Sequence, residues 1–545
     1  MASVFDPATG IYSSCRPALS MPSPGATGGI VQFLLERTSD PGISSKLALV
    51  DAITGERVTF SQLRRRISVI AQGLIELGVR RGDVVLILSP NSIQFVESFL
   101  AVIFVGAILT TVNPLNTAEE IAKQARDSSP SLVITTLELA DKVQRLDLPS
   151  VIIDHRDGSV LPPRSIPYSS LLRESPIFRD GSSISAPIES NLDDTVALLY
   201  SSGTTGVSKG VMLSHRNFLA AAGQVNMDAE MEGRENDVLL VMLPLFHIFG
   251  LAVSYASLQR SETVVILPRF EFLHFLKSIQ DFRVTQLPLV PPVAIALAKH
   301  AAVADYDLSS IKNVISGAAP LGKEIMEACS RRLPLADIRQ GYGLTESTGM
   351  ALLTLPGEDP RFMGAAGSLV SGTEAMVVDP ETCKPVPPQK SGELWLRGQQ
   401  IMKGYLNNPT ATASTIDENG WLHTGDLVYV NQGRFFVLDR MKELIKYKGF
   451  QVAPAELEAL LLSHPSLLDA AVVPLADEEA GQVPIAYVVK KPNATVDESN
   501  VLNFIAKQVA PYKRLRRVSF IDAIPKSAAG KILRRELTAL PQSKL

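Results

Sequence analysis

The sequence predicts an α/β protein, with a large N-terminal domain of layered α/β subdomains over residues 1–439 and a small α+β domain over 440–545. Three observations carry this. A chain of 545 residues is too long for one hydrophobic core and divides into domains. Apolar β-branched runs alternate with helical patterns along most of it, the signature of strands buried between helical layers. Near residue 440 the texture changes to a charge-dense stretch, Asp439-Arg-Met-Lys-Glu-Leu-Ile-Lys-Tyr-Lys-Gly-Phe-Gln451.

In chain order, the first apolar run is Val84–Leu88, a buried strand. The uncharged stretch Ser98–Val112 ends at Asn113-Pro114 and is shorter than the roughly 20 residues a bilayer span requires. It reads as a buried helix followed by a strand. Ser131–Thr135, Val151–Ile153, Val238–Met242, Thr263–Leu267 and Asn313–Ile315 are further strands. Pro162-Pro163 and Arg179–Asn191 read as surface loops, and Ala455–Leu462 opens the small domain as a helix.

Composition is that of a globular protein, 46% hydrophobic and 20% charged. The net charge of -4 gives no electrostatic footprint for nucleic acid or an anionic membrane. Cys15, Cys329 and Cys383 lie far apart, which suits neither a disulfide framework nor a zinc site. No basic stretch precedes an apolar run at the start, so no signal peptide and no transmembrane segment are expected. The final Ser543-Lys544-Leu545 matches a peroxisomal address. It makes an import receptor an expected partner and the peroxisome the expected location, with the cytoplasm second.

The most informative segment is Ser201-Ser-Gly-Thr-Thr-Gly-Val-Ser-Lys-Gly210, directly behind the apolar run Thr195–Tyr200. So little side-chain volume lets backbone N–H groups and hydroxyls approach a polyphosphate, and Lys209 adds a point charge. The spacing is not that of a Walker A loop, which argues against a kinase or GTPase. Gln340-Gly-Tyr-Gly-Leu-Thr-Glu346 places one carboxylate beside a second glycine-rich turn. Glu346 there suits Mg²⁺, a hard cation that bridges to phosphates. Tyr342 suits stacking on a base, and Thr345 a hydrogen bond to phosphate. In Gly420-Trp-Leu-His-Thr-Gly-Asp426 the acidic residue suits ribose hydroxyls. In Pro525-Lys-Ser-Ala-Ala-Gly-Lys531 a lysine sits on a glycine turn.

In this order and at these separations the motifs resemble the adenylate-forming acyl-CoA synthetase superfamily, and within it plant 4-coumarate–CoA ligase and its relatives. Gly392-Glu-Leu-Trp-Leu-Arg-Gly398, Met402-Lys-Gly-Tyr-Leu406 and Lys442–Glu458 extend the likeness to nearly the whole chain. The resemblance implies a two-step ligase. A carboxylic acid attacks the α-phosphate of MgATP, giving acyl-adenylate and pyrophosphate, and coenzyme A then displaces AMP. It assigns Ser201, Ser202, Gly203, Thr204, Thr205 and Lys209 to the departing phosphates. Ala318, Gly341 and Tyr342 fall to adenine, Thr345 to the α-phosphate, Glu346 to Mg²⁺, and Asp426 with Arg440 to ribose.

Lys531 is implied as the catalytic lysine of adenylation, while Lys446, Lys448, Gly449 and Gln451 belong to nucleotide and thioester chemistry. A small domain that swings about a hinge near 440–442, with Lys442 at the hinge, is implied too. His247 would orient the carboxylate, in an acyl pocket built with Phe249, Ala252, Ile315, Gly317, Gly341, Gly349 and Met350.

Several positions depart from the hydroxycinnamate-using members. Phe249 stands where they have tyrosine, Ala252 for asparagine, Ile315 for lysine, Gly349-Met-Ala351 for Pro-Val-Leu, and Trp395 for cysteine. A pocket without partners for a phenol hydroxyl loses discrimination in its favour. The expected acid is therefore a fatty acid or a jasmonate precursor, with a true 4-coumarate ligase as the alternative. Beetle luciferase shares the superfamily, but it carries two adjacent histidines where this chain has Phe246-His247.

Overall fold

The computed structural model describes residues 2–22, 28–155, 159–173, 190–201, 208–448, 450–527 and 530–540. The first buried run forms the strand Val84–Leu88, flanked in parallel by Ile108–Thr111 and Leu132–Thr135. Parallel neighbours need crossovers, and helices Ile93–Phe104 and Ala118–Ser128 supply them. The first is apolar nearly all round because it lies in the core; its one carboxylate, Glu97, is buried and accepts a 2.9 Å bond from Arg66. The second begins on a capping box in which Thr117 and Glu120 satisfy each other's backbone N–H groups.

These strands belong to an eight-stranded sheet. Thr195–Ser201 adds to it in parallel beside Ile108–Thr111, then turns back antiparallel through Lys209–Ser214. A nine-stranded sheet holds Val238–Val241, Thr263–Ile266, Gln286–Leu289, Asn313–Ser316 and Asp337–Tyr342 as its parallel centre. Helices His215–Met231 and Ile248–Gln259 pack against each other between the sheets, within the largest apolar core.

Parallel layering describes two of the sheets and not the third. Val4–Asp6, Ile11–Ser13, Glu374–Val378, Gly392–Arg397, Leu422–Asn431 and Arg434–Arg440 form a six-stranded sheet paired antiparallel throughout. Its strands alternate buried and half-exposed positions, since only one face is covered. Arg434–Arg440 is the edge of this sheet, and the next strand, Ile445–Tyr447, already pairs within a fourth sheet. That last sheet, with helices Pro454–Ser463 and Glu498–Ala506, has its own core of Val452, Leu457, Leu461, Val472 and Val488. No helix among the described residues is long and apolar enough to cross a membrane.

Candidate active site

Thr195–Ser201, Asn313–Ser316 and Asp337–Tyr342 all deliver their carboxyl ends to one cleft of about 1250 Å³. Ser527 and Lys531 of the last domain also line it. Ligands of open α/β sheets gather at such strand ends.

At one end of the cleft Glu346 sits on a short 3-10 turn, Thr345–Ser347. Its Oε1 accepts from Ser201 Oγ and from Tyr405 Oη, each at 2.9 Å. Lys209, register partner of Ser201, holds its ammonium 4.6 Å from the Tyr405 ring centre. Ser202, Gly203, Thr204 and Thr205 lie outside the described residues, as does Gly449. The turn carrying Glu346 needs glycine at 343, where a Cβ would come within 2.3 Å of the Gly349 carbonyl oxygen. Glu346 suits Mg²⁺ in the manner that ion favours, with one protein carboxylate and the remaining ligands from phosphate and water. Its second oxygen has no protein donor among the described residues, and no group of three or more metal-ligating side chains occurs there.

Beside the cleft, Asp426, itself buried and not on the lining, and Arg440, which lines it, are paired across two antiparallel strands. Asp426 accepts a 2.5 Å bond from Tyr342 Oη, and its other oxygen lies 3.5 Å from Arg440 Nε. Burial raises the Asp426 pKa, while Arg440, the Tyr342 hydroxyl and Lys531 oppose the rise. Ala318 lines the wall in a left-handed conformation, φ 71°. Gly341 and Thr345 complete it.

Lys531 enters on a turn pinned by Ser527, whose N–H donates to the Lys531 carbonyl at 2.8 Å and whose Oγ accepts from Lys531 N at 3.2 Å. Its ammonium lies 4.0 Å from Glu443. Burial, followed by the nearby Arg440 cation, pulls its pKa down to about 8, against the pull of Glu443 and Asp426.

At the opposite end His247 caps the helix Ile248–Gln259, its Nδ1 accepting from Phe249 N at 3.2 Å. Burial lowers its pKa to about 4. The ring is therefore neutral at pH 7, and with Nδ1 an acceptor its proton resides on Nε2. Phe249, Ile315, Gly317, Gly349 and Met350 line this end. Ala252 sits one layer back, its Cβ 3.7 Å from where a Cβ on Gly349 would lie.

Three expected residues stand apart from the cleft. Lys446, Lys448 and Gln451 are exposed on the hairpin of Ile445–Tyr447 and Phe450–Val452. Lys448 pairs with Glu479 at 2.8 Å, and Lys442 is exposed as well. Conversely, Tyr405, Glu443, Glu393 and His423 carry no role in the sequence reading, and Trp395 entered it only as a departure from cysteine. Tyr405 was visible only as the tyrosine of Met402–Leu406, and Glu443 only as one charge in a charge-dense run.

Residues 41–406 match the AMP-binding enzyme family, and residues 456–531 match the AMP-binding enzyme C-terminal domain. A probable CoA ligase of Humulus lupulus is 50% identical, over 92% of this chain and 91% of its own length. The peroxisomal OPC-8:0-CoA ligase 1 of Arabidopsis thaliana is 45% identical, over 98% of this chain and 96% of its own. Among solved structures, ATP-bound MatB from Rhodopseudomonas palustris superimposes with a TM-score of 0.83 at 27% identity, covering 95% of this chain and 100% of that one.

Proposed function

The chain belongs to the AMP-binding enzyme family and is an AMP-forming acid–CoA ligase, and we propose that its acid is a fatty acid or a jasmonate-precursor acid. The observation that carries the choice is the acyl end of the cleft. Phe249, Ile315 and Met350 offer an aliphatic chain apolar contact and offer a phenol hydroxyl no partner. The name of the Arabidopsis relative, an OPC-8:0-CoA ligase, points the same way.

The site residues then divide the work. ATP binds with its phosphates toward Ser201, Lys209 and Thr345, and with Mg²⁺ at Glu346. Asp426 and Arg440 receive the ribose, beside adenine at Ala318, Gly341 and Tyr342. Neutral His247 donates from Nε2 to the acid's carboxylate and orients it for in-line attack on the α-phosphate. Lys531, charged below pH 8, neutralises the growing negative charge; positioning and charge placement supply the catalysis. Coenzyme A is the thiol of the second step, served by Lys446 and Gln451 after the small domain turns about residues 440–442. The peroxisome is the proposed location, on the Ser543–Leu545 tripeptide and the relative's name.

Pyrophosphate release by the purified protein, measured with 4-coumarate and with saturated acids of six to twelve carbons, tests the substrate. Higher kcat/KM for the saturated acids is expected, and strong preference for 4-coumarate overturns the proposal. A fluorescent fusion co-localising with peroxisomes, and dispersing when Ser543–Leu545 is deleted, tests the location.

A further inference from the structure

The segment Met402–Leu406 clips two motifs of the cleft together. Met402 N donates to the Glu346 carbonyl at 2.9 Å, while Lys403 N and Leu406 N donate to the carbonyls of Met212 and Gly210 at 3.0 and 2.8 Å. Between them, Gly404–Tyr405 pairs antiparallel with the strand that begins at Lys209. The pairing needs glycine at 404, where φ is 142° and a Cβ would lie 2.7 Å from Thr412 Cγ2. Thr412 Oγ1 in turn accepts from Tyr405 N at 2.9 Å. The Tyr405 backbone is therefore fixed against both motifs before its side chain makes any contact.

That side chain, only 6% exposed, lines the cleft and meets one charged group from each motif. Its Oη donates to Glu346 Oε1 at 2.9 Å, the same oxygen that Ser201 Oγ reaches at 2.9 Å. Two donors on one carboxylate oxygen set the rotation of the group and leave the other oxygen to accept elsewhere. Burial, then the Glu346 charge, push the Tyr405 pKa up, so the hydroxyl keeps its proton and remains a donor. The Lys209 ammonium lies 4.6 Å from the ring centre. That contact gives a flexible lysine stem a preferred direction. One side chain thus orders an anion and a cation of the same site.

We propose that Tyr405 is a positioning residue for the metal and the departing phosphates: its hydroxyl holds Glu346 with one oxygen free for the metal ion, and its ring seats the Lys209 ammonium. This rests on the reading of Glu346 as the Mg²⁺ carboxylate and of Lys209 as a phosphate group.

Nucleotide binding by the full-length protein tests it, measured by calorimetry without acid, using ATP with Mg²⁺, ATP with EDTA, and AMP. AMP has neither the departing phosphates nor a need for the metal, so it reports on the rest of the site. Tyr405→Phe keeps the ring and removes the donor to a carboxylate. It should raise the Kd for ATP with Mg²⁺ at least about fivefold, and leave ATP with EDTA and AMP within about twofold. Tyr405→Leu removes the ring as well, and should also weaken ATP with EDTA at least about threefold, with AMP still within about twofold. Tyr405→Met replaces the leucine variant if that one does not fold. An unchanged Kd for ATP with Mg²⁺ in Tyr405→Phe, or AMP weakened by the same factor, overturns the role of the hydroxyl. An unchanged Kd for ATP with EDTA in the ringless variant overturns the role of the ring. If Glu346→Gln leaves the advantage of Mg²⁺ intact, the reading beneath the proposal falls instead.

Discussion

Lys531 brings a cation into a place that already holds Arg440, and the consequence is a pH dependence of a definite sign. Its pKa falls from 10.5 to about 8, first through burial and then through Arg440. The amine is therefore charged below pH 8 and progressively neutral above it. On the proposed mechanism adenylation needs the charged form, so kcat/KM for pyrophosphate release should fall as pH rises past 8, approaching about tenfold per pH unit. Lys531→Arg should lose rate overall yet keep a nearly level profile to pH 10, because guanidinium does not titrate there. A wild-type profile that stays level between pH 8 and 9.5 would refute the assignment. His247 behaves in the opposite way. With its pKa near 4 and its proton on Nε2, it is neutral throughout this range and adds no limb to the profile.

At the scale of elements, the turn proposed to receive the ribose is braced by a neighbouring strand. Glu393 accepts from Gly425 N with one oxygen and from Trp395 Nε1 with the other, each at 2.9 Å. Trp395 in turn stacks on His423 with ring centres 3.8 Å apart and planes 9° apart. Gly425, at φ 71°, precedes Asp426. Trp395→Phe keeps the stack and removes the donor of a hydrogen bond to a carboxylate, a bond contributing about 1.5–3 kcal/mol. The apparent KM for ATP should rise roughly tenfold or more on that basis, with kcat within about twofold; steady-state kinetics at saturating acid would show the split. A fall in kcat with KM unchanged would mean that the brace acts elsewhere. The same element shows what sequence can and cannot convey. Strands such as Val84–Leu88 and Thr263–Ile266 were legible because burial on both faces makes them continuous β-branched runs. Glu346 and Lys531, both lining the cleft, and Asp426, bonded to Tyr342 beside it, could be singled out because each sits on a short glycine-marked motif. The antiparallel sheet was not, since one-sided burial leaves weaker alternation. Glu393 bonds to a turn 32 residues away, and the Tyr342 hydroxyl meets Asp426 across 84 residues. No local pattern encodes such meetings.

On the scale of the whole molecule, Lys531 lines the cleft while Lys446, on the same small domain, is exposed. On the proposed division of labour this conformation serves adenylation, and thioester formation requires the small domain to turn. Lys531→Ala should reduce adenylate formation at least about 100-fold, the usual cost of removing a group that stabilises developing charge. Lys446→Ala should leave adenylation nearly intact and stall the coenzyme A step, read separately as pyrophosphate and acyl-CoA. A sharper test fixes the domain in place. A Cβ on Gly530 would lie 3.2 Å from Val290 Cβ, on the wall of the large domain. Disulfides span Cβ pairs about 3.5–4.5 Å apart, so Val290→Cys with Gly530→Cys needs a shift of only a few tenths of an ångström. Cysteine at 530 must accept φ 79°, which costs roughly 1–2 kcal/mol and is small beside the stability of a large domain pair. Oxidised, the double variant should form acyl-adenylate in a single turnover at near the wild-type rate and make almost no acyl-CoA. Reduction should restore the thioester step. Acyl-CoA formation by the fully cross-linked protein would show that both half-reactions run in one domain arrangement, and the two-lysine division of labour would fall with it.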